Sequence, residues 1–301
     1  MKNKRILIAG AGGVVGAYLT LNLRAAGVEV LSLTRKASDK DKIFWAPEKG
    51  ELDSEKLEGL DAIVNLAGES IFGYWIKSKK ERILKSRLDS VRTLVSAVKR
   101  LKTPPKVFVS TSAVGYYGAN PSGVCDEESP MGGGFLAEVC KAWEGECAEL
   151  SICGVRVVNP RFGVVLDSSG GMLKNLESLA KFKITLNFAD AQDALAWIST
   201  KDLFRALTFC IESENISGAV NFVEPKYASL FDINEFLKRR YNAVFNFQVP
   251  RCISRLLLGD MAEALLLTDA KILPKKLSDA GFKFSTPNLG DIFEADKPVS
   301  A

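Results

Sequence analysis

The chain has 301 residues, 47% hydrophobic and 25% charged, enough to bury a substantial core and too apolar for a disordered chain or a coiled coil. Lys and Arg outnumber Asp and Glu by 40 to 36, and apart from a basic cluster over 77–87 the charges are interspersed, which argues against a nucleic-acid partner and leaves small anions open. The complete lack of histidine removes histidine general bases, Ser-His triads and His-containing zinc sites, and the six scattered cysteines read as reduced thiols, so no metal site is expected.

The opening stretch, "MKNKRILIAGAGGVVGAYL", has the basic start and apolar run of a secretory signal, but it is better read as strand, tight turn and helix start. Glycines at 10, 13 and 16 follow a short apolar run directly and precede a helix expected from Val14. In a dinucleotide fold Gly10 permits the turn, Gly13 lets backbone approach a pyrophosphate, and Gly16 allows close helix packing; Val14 and Val15 then offer backbone N–H groups at the helix start. The alternative is a glycine turn with no ligand. No other apolar stretch reaches the ~18 residues of a membrane span, so the expectation is a soluble, cytoplasmic chain.

The next strand, "VEVLSLTRK", ends in Arg35 and Lys36, nineteen residues after Gly16, where an NAD-selective fold carries an acidic residue for the ribose 2′-hydroxyl. An arginine there suits a 2′-phosphate, favouring NADP over NAD, although a solvated strand-end arginine would look the same. "DAIVNLAG" supplies another strand, whose exit at Asn65, Leu66, Ala67 and Gly68 can run along the nicotinamide half of the cofactor, and a helix is expected over 78–101. "KVFVSTSAVGYYG" ends a further strand with hydroxyls and two tyrosines, Tyr116 and Tyr117; such groups can bond a substrate carbonyl or merely satisfy local backbone. A helix over 135–150 and the strand "GVRVVNP" complete an α/β, Rossmann-type doubly wound parallel sheet.

Beyond Pro160 the pattern loosens: a "DSSGG" turn, a helix over 171–181, an irregular stretch through "NFADAQDALAWIS", a helix over 201–212 and the strand "AVNFV" returning to the sheet. Two or three helices follow Tyr227, and a polar tail follows Phe293. Residues 1–160 plus 200–224 are expected to form the Rossmann domain, and 161–199 plus 225–301 a smaller substrate cap.

In combination, the stretch beginning at Trp45-Ala-Pro, "NLAGE", "SRLDSVRTLV", "TSAVGYYG", "FLAEVCKAWE", "RFGVVL", "GGML" and "GFKF" resemble an atypical, epimerase-like family of the extended short-chain dehydrogenase/reductases, across nearly the whole chain. The resemblance implies an NADP(H)-binding oxidoreductase acting on a small polar carbonyl or hydroxyl substrate, with Ser112 polarising the substrate oxygen. In that superfamily a tyrosine four residues before a lysine transfers the proton and an asparagine completes a relay; here those positions fall at Leu136, Cys140 and Arg87. Neither neighbouring register (Phe135 with Val139, or Ala137 with Lys141) restores the pair.

Two substitutes for the pair, and one substrate contact, suggest themselves. Tyr117, or else Tyr116, can serve as surrogate acid; Cys140 can act as a thiolate stabilised by Arg87, against the plainer reading of a buried hydrophobe; and Arg161 in "NPRFGVVL" is a candidate substrate-anion contact or a structural ion pair. Ser199 stands where relatives usually have histidine, so the substrate side departs from the family. The rival functional reading is a non-catalytic NADP(H) sensor or scaffold; the oligomeric state is left open.

Overall fold

The computed structural model describes residues 1–295 except 40, 189–192, 266–267 and 287. Through the first half it contains β1 (Arg5–Ala9), α1 (Val14–Ala25), β2 (Glu29–Thr34), β3 (Ile43–Ala46), β4 (Glu51–Leu52), β5 (Ala62–Asn65), α2 (Lys77–Val98), β6 (Val107–Ser110), β7 (Ser112–Ala113), β8 (Val124–Cys125), α3 (Phe135–Gly145) and β9 (Arg156–Phe162). There follow β10 (Val164–Leu166), α4 (Gly171–Lys181), β11 (Ile184–Phe188), β12 (Trp197–Ser199), α5 (Thr200–Glu212), β13 (Gly218–Phe222), α6 (Leu230–Tyr241), β14 (Phe245–Val249), α7 (Arg251–Leu258), α8 (Asp260–Leu265), β15 (Lys271–Ile272), α9 (Lys275–Asp279) and α10 (Leu289–Ala295).

The main sheet runs β13-β9-β6-β5-β1-β2-β3-β4, parallel except for the β3–β4 hairpin, with β7 pairing on β9. Its central strands are apolar on both faces because both faces are covered. Ile6 and Ile8 of β1 pack with Leu19 and Leu23 of α1 and Leu203 and Leu207 of α5, while Leu7 and Ala9 face Val91 and Leu94 of α2 and Trp143 of α3. Strand order reverses between β1 and β5, and at such a switch point the connections leave in opposite directions and open a crevice at the carboxyl ends.

A second core joins Leu166, Leu173 and Leu176 to Trp197, Ile233 and Leu237, layering β10, β12, α4 and α6 beside that crevice. Among the described residues no helix is long and apolar enough to cross a membrane.

Several local expectations differ from the structure. The helix expected over 135–150 ends at Gly145, and a 3-10 turn over Ala148–Cys153 replaces its last residues. The irregular stretch before Ser199 contains β12 and is preceded by β11, whose parallel partner β14 lies some sixty residues on, beyond any local pattern. After Tyr227 the described chain has α6 to α10 and two short strands instead of two or three helices; the end of the polar tail and residues 189–192 lie outside the described residues. Strand β9 continues through Phe162, so Arg161 sits within the main sheet, paired with Asn221 of β13.

Candidate active site

The glycine turn is built as the spacing predicts. Gly10 adopts φ +86°, and a Cβ there would lie 2.8 Å from the Leu66 carbonyl carbon, so the turn after β1 presses against the exit of β5. At Gly16 a Cβ would approach the Gly10 oxygen to 2.2 Å, which fixes α1 against the turn. Gly13 differs: a Cβ would meet only the Gly10 oxygen, at 3.6 Å, leaving open space in front of α1. Gly13 is also the N-cap, no side chain caps the helix, and its first turn holds no acidic residue. Uncapped N–H groups at a helix N-terminus beside open space suit an anion.

Arg35 and Lys36 are exposed just past β2. Across the turn, Glu69 is held below the ordinary carboxylate value first by a hydrogen bond from Lys79 and then by the charges of Lys79, Arg82 and Arg35. The basic cluster of α2 and the strand-end arginine thus share one rim, a proximity that linear sequence does not show.

Leu66 lines the crevice, whereas the Asn65 side chain does not reach it as a cofactor contact would require. Asn65 is fully buried, donates from Nδ2 to Ser90 Oγ at 3.2 Å and accepts from the Ala67 N–H at 3.1 Å, so it shapes the turn from behind. Gly68 leaves room for Arg87: a Cβ there would lie 3.3 Å from the guanidinium carbon.

The crevice widens into a cleft of ≈ 440 Å³ running from Val14 and Val15 past Leu66 to Thr111, Ser112 and Cys140. Arg87 lines it, donating to the carbonyls of Glu69 and Ile83 at 3.1 and 3.0 Å and lying 5.0 Å from the centre of the Trp143 ring. Trp143 is also a wall residue, and its buried indole Nε1 has no hydrogen-bond partner. Val139 and Trp143 therefore belong to the core and to the cleft at once.

The candidates that the sequence offers beside the missing tyrosine–lysine pair fare differently from one another. Tyr117 is 2% exposed and turned away from the cleft; its hydroxyl donates to Asn221 Oδ1 at 2.8 Å and accepts from Arg161 Nη1 at 2.9 Å, while burial pushes it up to about 12. Tyr116 packs edge-on against Tyr117, with the Arg161 guanidinium 3.4 Å from the centre of its ring, and neither ring lines the cleft. Tyr117 is structural because β13 supplies an acceptor, Asn221, that local sequence cannot reveal, and Tyr116 packs against it. Cys140 does line the cleft, but burial pushes its thiol up, and Sγ donates to the Ala113 carbonyl at 3.5 Å, so it is a buried thiol and no ready thiolate. Arg161 grips Glu144 with Nε and Nη2, both at 2.8 Å, and is 3% exposed, which makes it a structural cation and removes it as a free substrate contact.

Glu144 carries what the sequence reading missed. It lies one turn beyond Cys140 on α3, and Ser112 Oγ donates to its Oε1 at 2.6 Å. A hydroxyl in the cleft wall is thus bonded from behind to a carboxylate, which is held in turn by a buried arginine. The recognisable signal was the repeat Leu136, Cys140, Glu144 along one helix face.

The residues that form the cleft also set its character. Leu136 of α3, Ile71, and Ala264 and Leu265 of α8 pack into one apolar cluster that forms part of the wall. Phe162, Met172 and Leu195 add to the lining from β9, α4 and the segment before β12. This lining is far more apolar than a small polar substrate would call for.

The family model described as the NAD dependent epimerase/dehydratase family matches residues 6–222, and one described as a domain of unknown function matches 249–295. An epimerase family protein of Mycobacterium bovis is 34% identical over 293 residues, 97% of each chain, and one of Staphylococcus haemolyticus is 32% identical over 97% of this chain and 98% of its own. Among solved structures, human epimerase family protein SDR39U1, with NADPH, superposes with a TM-score of 0.87 at 28% identity, covering 97% of this chain and 98% of that one. A nucleoside-diphosphate sugar epimerase from Corynebacterium glutamicum gives 0.79 at 31% identity, covering 97% of this chain and 57% of that one.

Proposed function

The chain belongs to the NAD dependent epimerase/dehydratase family, and from that premise we propose that it binds NADP(H) along the crevice and interconverts a carbonyl and a hydroxyl group on a substrate in the cleft. The observation that carries this reading is the shared crevice: the glycine turn with its uncapped helix opens into the same cleft that Ser112 lines.

The residues fit such a cofactor. The open space at Gly13 and the N–H groups of Val14 and Val15 would take the pyrophosphate, and the Leu66–Gly68 run would flank the nicotinamide ribose. Arg35 and Lys36 would pair with a 2′-phosphate, for which the NADPH in the human relative gives a precedent. Bound there, the nicotinamide supplies or accepts a hydride. The chain's own part is proton handling: Ser112 Oγ would bond the substrate oxygen, and Glu144 would take the proton that leaves through Ser112 when a hydroxyl is oxidised, or return it on reduction. Arg161 would act through Glu144 as a positioning residue. Segments 161–199 and 225–301 would form the cap that closes over the substrate.

A second reading, a binder of NADP(H) without turnover, is favoured by one specific observation: no tyrosine hydroxyl among the described residues reaches the cleft. Calorimetric titration with NADPH and NADH tests the shared premise. NADPH should bind about tenfold or more tighter than NADH, and Arg35→Ala should erase that preference; equal affinities in the unmodified chain would remove the NADP assignment. Single-turnover absorbance with carbonyl probes then separates the two readings, since the enzyme reading requires NADPH oxidation that Ser112→Ala suppresses.

A further inference from the structure

We propose that the substrate body is neutral and largely apolar, an aliphatic or aromatic ketone or secondary alcohol, and that the cleft is not a nucleoside-diphosphate sugar site; this rests on the NADP(H) reading above. The argument begins with charge. Among the described residues lining the cleft only Arg87 and Asp167 are charged. Arg87 is committed to two backbone carbonyls and lies against Trp143. Asp167, at the β10 end, accepts from Thr200 Oγ1 and the Ser169 N–H at 2.8 and 2.6 Å and offers an anion no counter-charge.

Arg161, the arginine that sequence alone would offer to an anion, is closed off. Its side chain is 4% exposed and bonded to both Glu144 oxygens and to Tyr117. To release it for a ligand phosphate would strip the half-buried Glu144 carboxylate of its cation. A substrate diphosphate, with the start of α1 already taken by the cofactor, would therefore shed water without gaining a counter-charge.

Apolar surface points the other way. The cluster of Ile71, Leu136, Ala264 and Leu265 forms one wall, and Phe162 and Leu195 contribute to the rest. Apolar ligand surface pressed against such walls leaves water favourably, in proportion to the area covered. The polar anchor is the Ser112 hydroxyl, beside which Thr111 and Cys140 add only uncharged groups. With ≈ 440 Å³ shared between the nicotinamide end and the substrate, the ligand is also small. Such a lining holds a molecule by its hydrocarbon body and orients it by one oxygen.

The test is calorimetry on the full chain saturated with NADPH, using acetophenone as the apolar ketone and UDP-glucose as the sugar nucleotide. Acetophenone should bind saturably and UDP-glucose at least about tenfold more weakly. Leu136→Glu, and independently Ala264→Glu, should weaken acetophenone by about tenfold while leaving NADPH affinity within about twofold; the second variant guards against misfolding of the first. Tighter binding of UDP-glucose than of acetophenone, or no binding of acetophenone by NADPH-loaded protein, would overturn the assignment while the cofactor reading stands. Failure to bind NADPH at the outset would instead defeat the cofactor reading itself.

Discussion

Single residues show where sequence reasoning reaches its limit. The glycines at 10 and 16 were legible because the close approach of neighbouring backbone, under 3 Å from an added Cβ, demands them, and Gly13 because it falls between them at the helix start. Tyr117, Arg161 and Glu144 were not, because their partners come from β13, α3 and β7, and no spacing along the chain encodes who meets whom. Glu224 makes the same point away from the cleft. It is 1% exposed, neither carboxyl oxygen makes a hydrogen bond of ordinary geometry, and burial together with the neighbouring Asp202 charge pushes it up to about 8. An acid whose folded value lies above its unfolded one favours the folded state only while protonated. Its contribution is therefore complete below about 4.5, declines as pH rises toward 8, and is gone above that. Urea unfolding at pH 6 and pH 9 should show a loss on the order of a few kcal/mol that Glu224→Gln largely removes; an unchanged pH dependence in the variant would count against this account.

Elements were the most legible scale wherever local pattern and tertiary role agree. Strands β1, β2, β5 and β6 and helices α1, α2, α4 and α5 fall close to where their periodicity puts them. Strands β11 and β14 were missed because, among the described residues, each pairs only with the other, across all of β12 to α6. Helix α1 carries a prediction of its own. Its N-cap glycine has extended backbone and room for a side chain, so Gly13→Asp should cap the free N–H groups and stabilise the fold by a few tenths of a kcal/mol. The same carboxylate would occupy the anion position, and NADPH affinity should fall by about tenfold or more. A thermal melt and a titration on one sample read both effects; a variant that is stabilised yet binds normally would mean that the pyrophosphate lies elsewhere.

At the scale of the molecule, the two cores are stitched by a late segment of the chain. Ser285 and Thr286 each donate to Asp202 of α5 through backbone and hydroxyl, at 2.6 to 2.8 Å, and Ser199 Oγ meets Thr286 Oγ1 at 2.6 Å. Residue 199 closes β12, which pairs with β10 beside the cleft, so this seam links the sheet helix to the cleft wall. Thr286→Val keeps the shape and removes the hydroxyl; the expected cost is about 1–3 kcal/mol, read in a urea transition that stays single. A split into two transitions would mean that the layers fold independently.

Gly170 approaches Val14 closely. A Cβ at 170 would lie 2.6 Å from a Val14 methyl, so the start of α4 rests directly upon the start of α1. A side chain added at 170 would push the 167–171 turn and the helix start apart. The two edges of the crevice are thus set against each other through a position that carries no side chain, and one added methyl group is enough to part them.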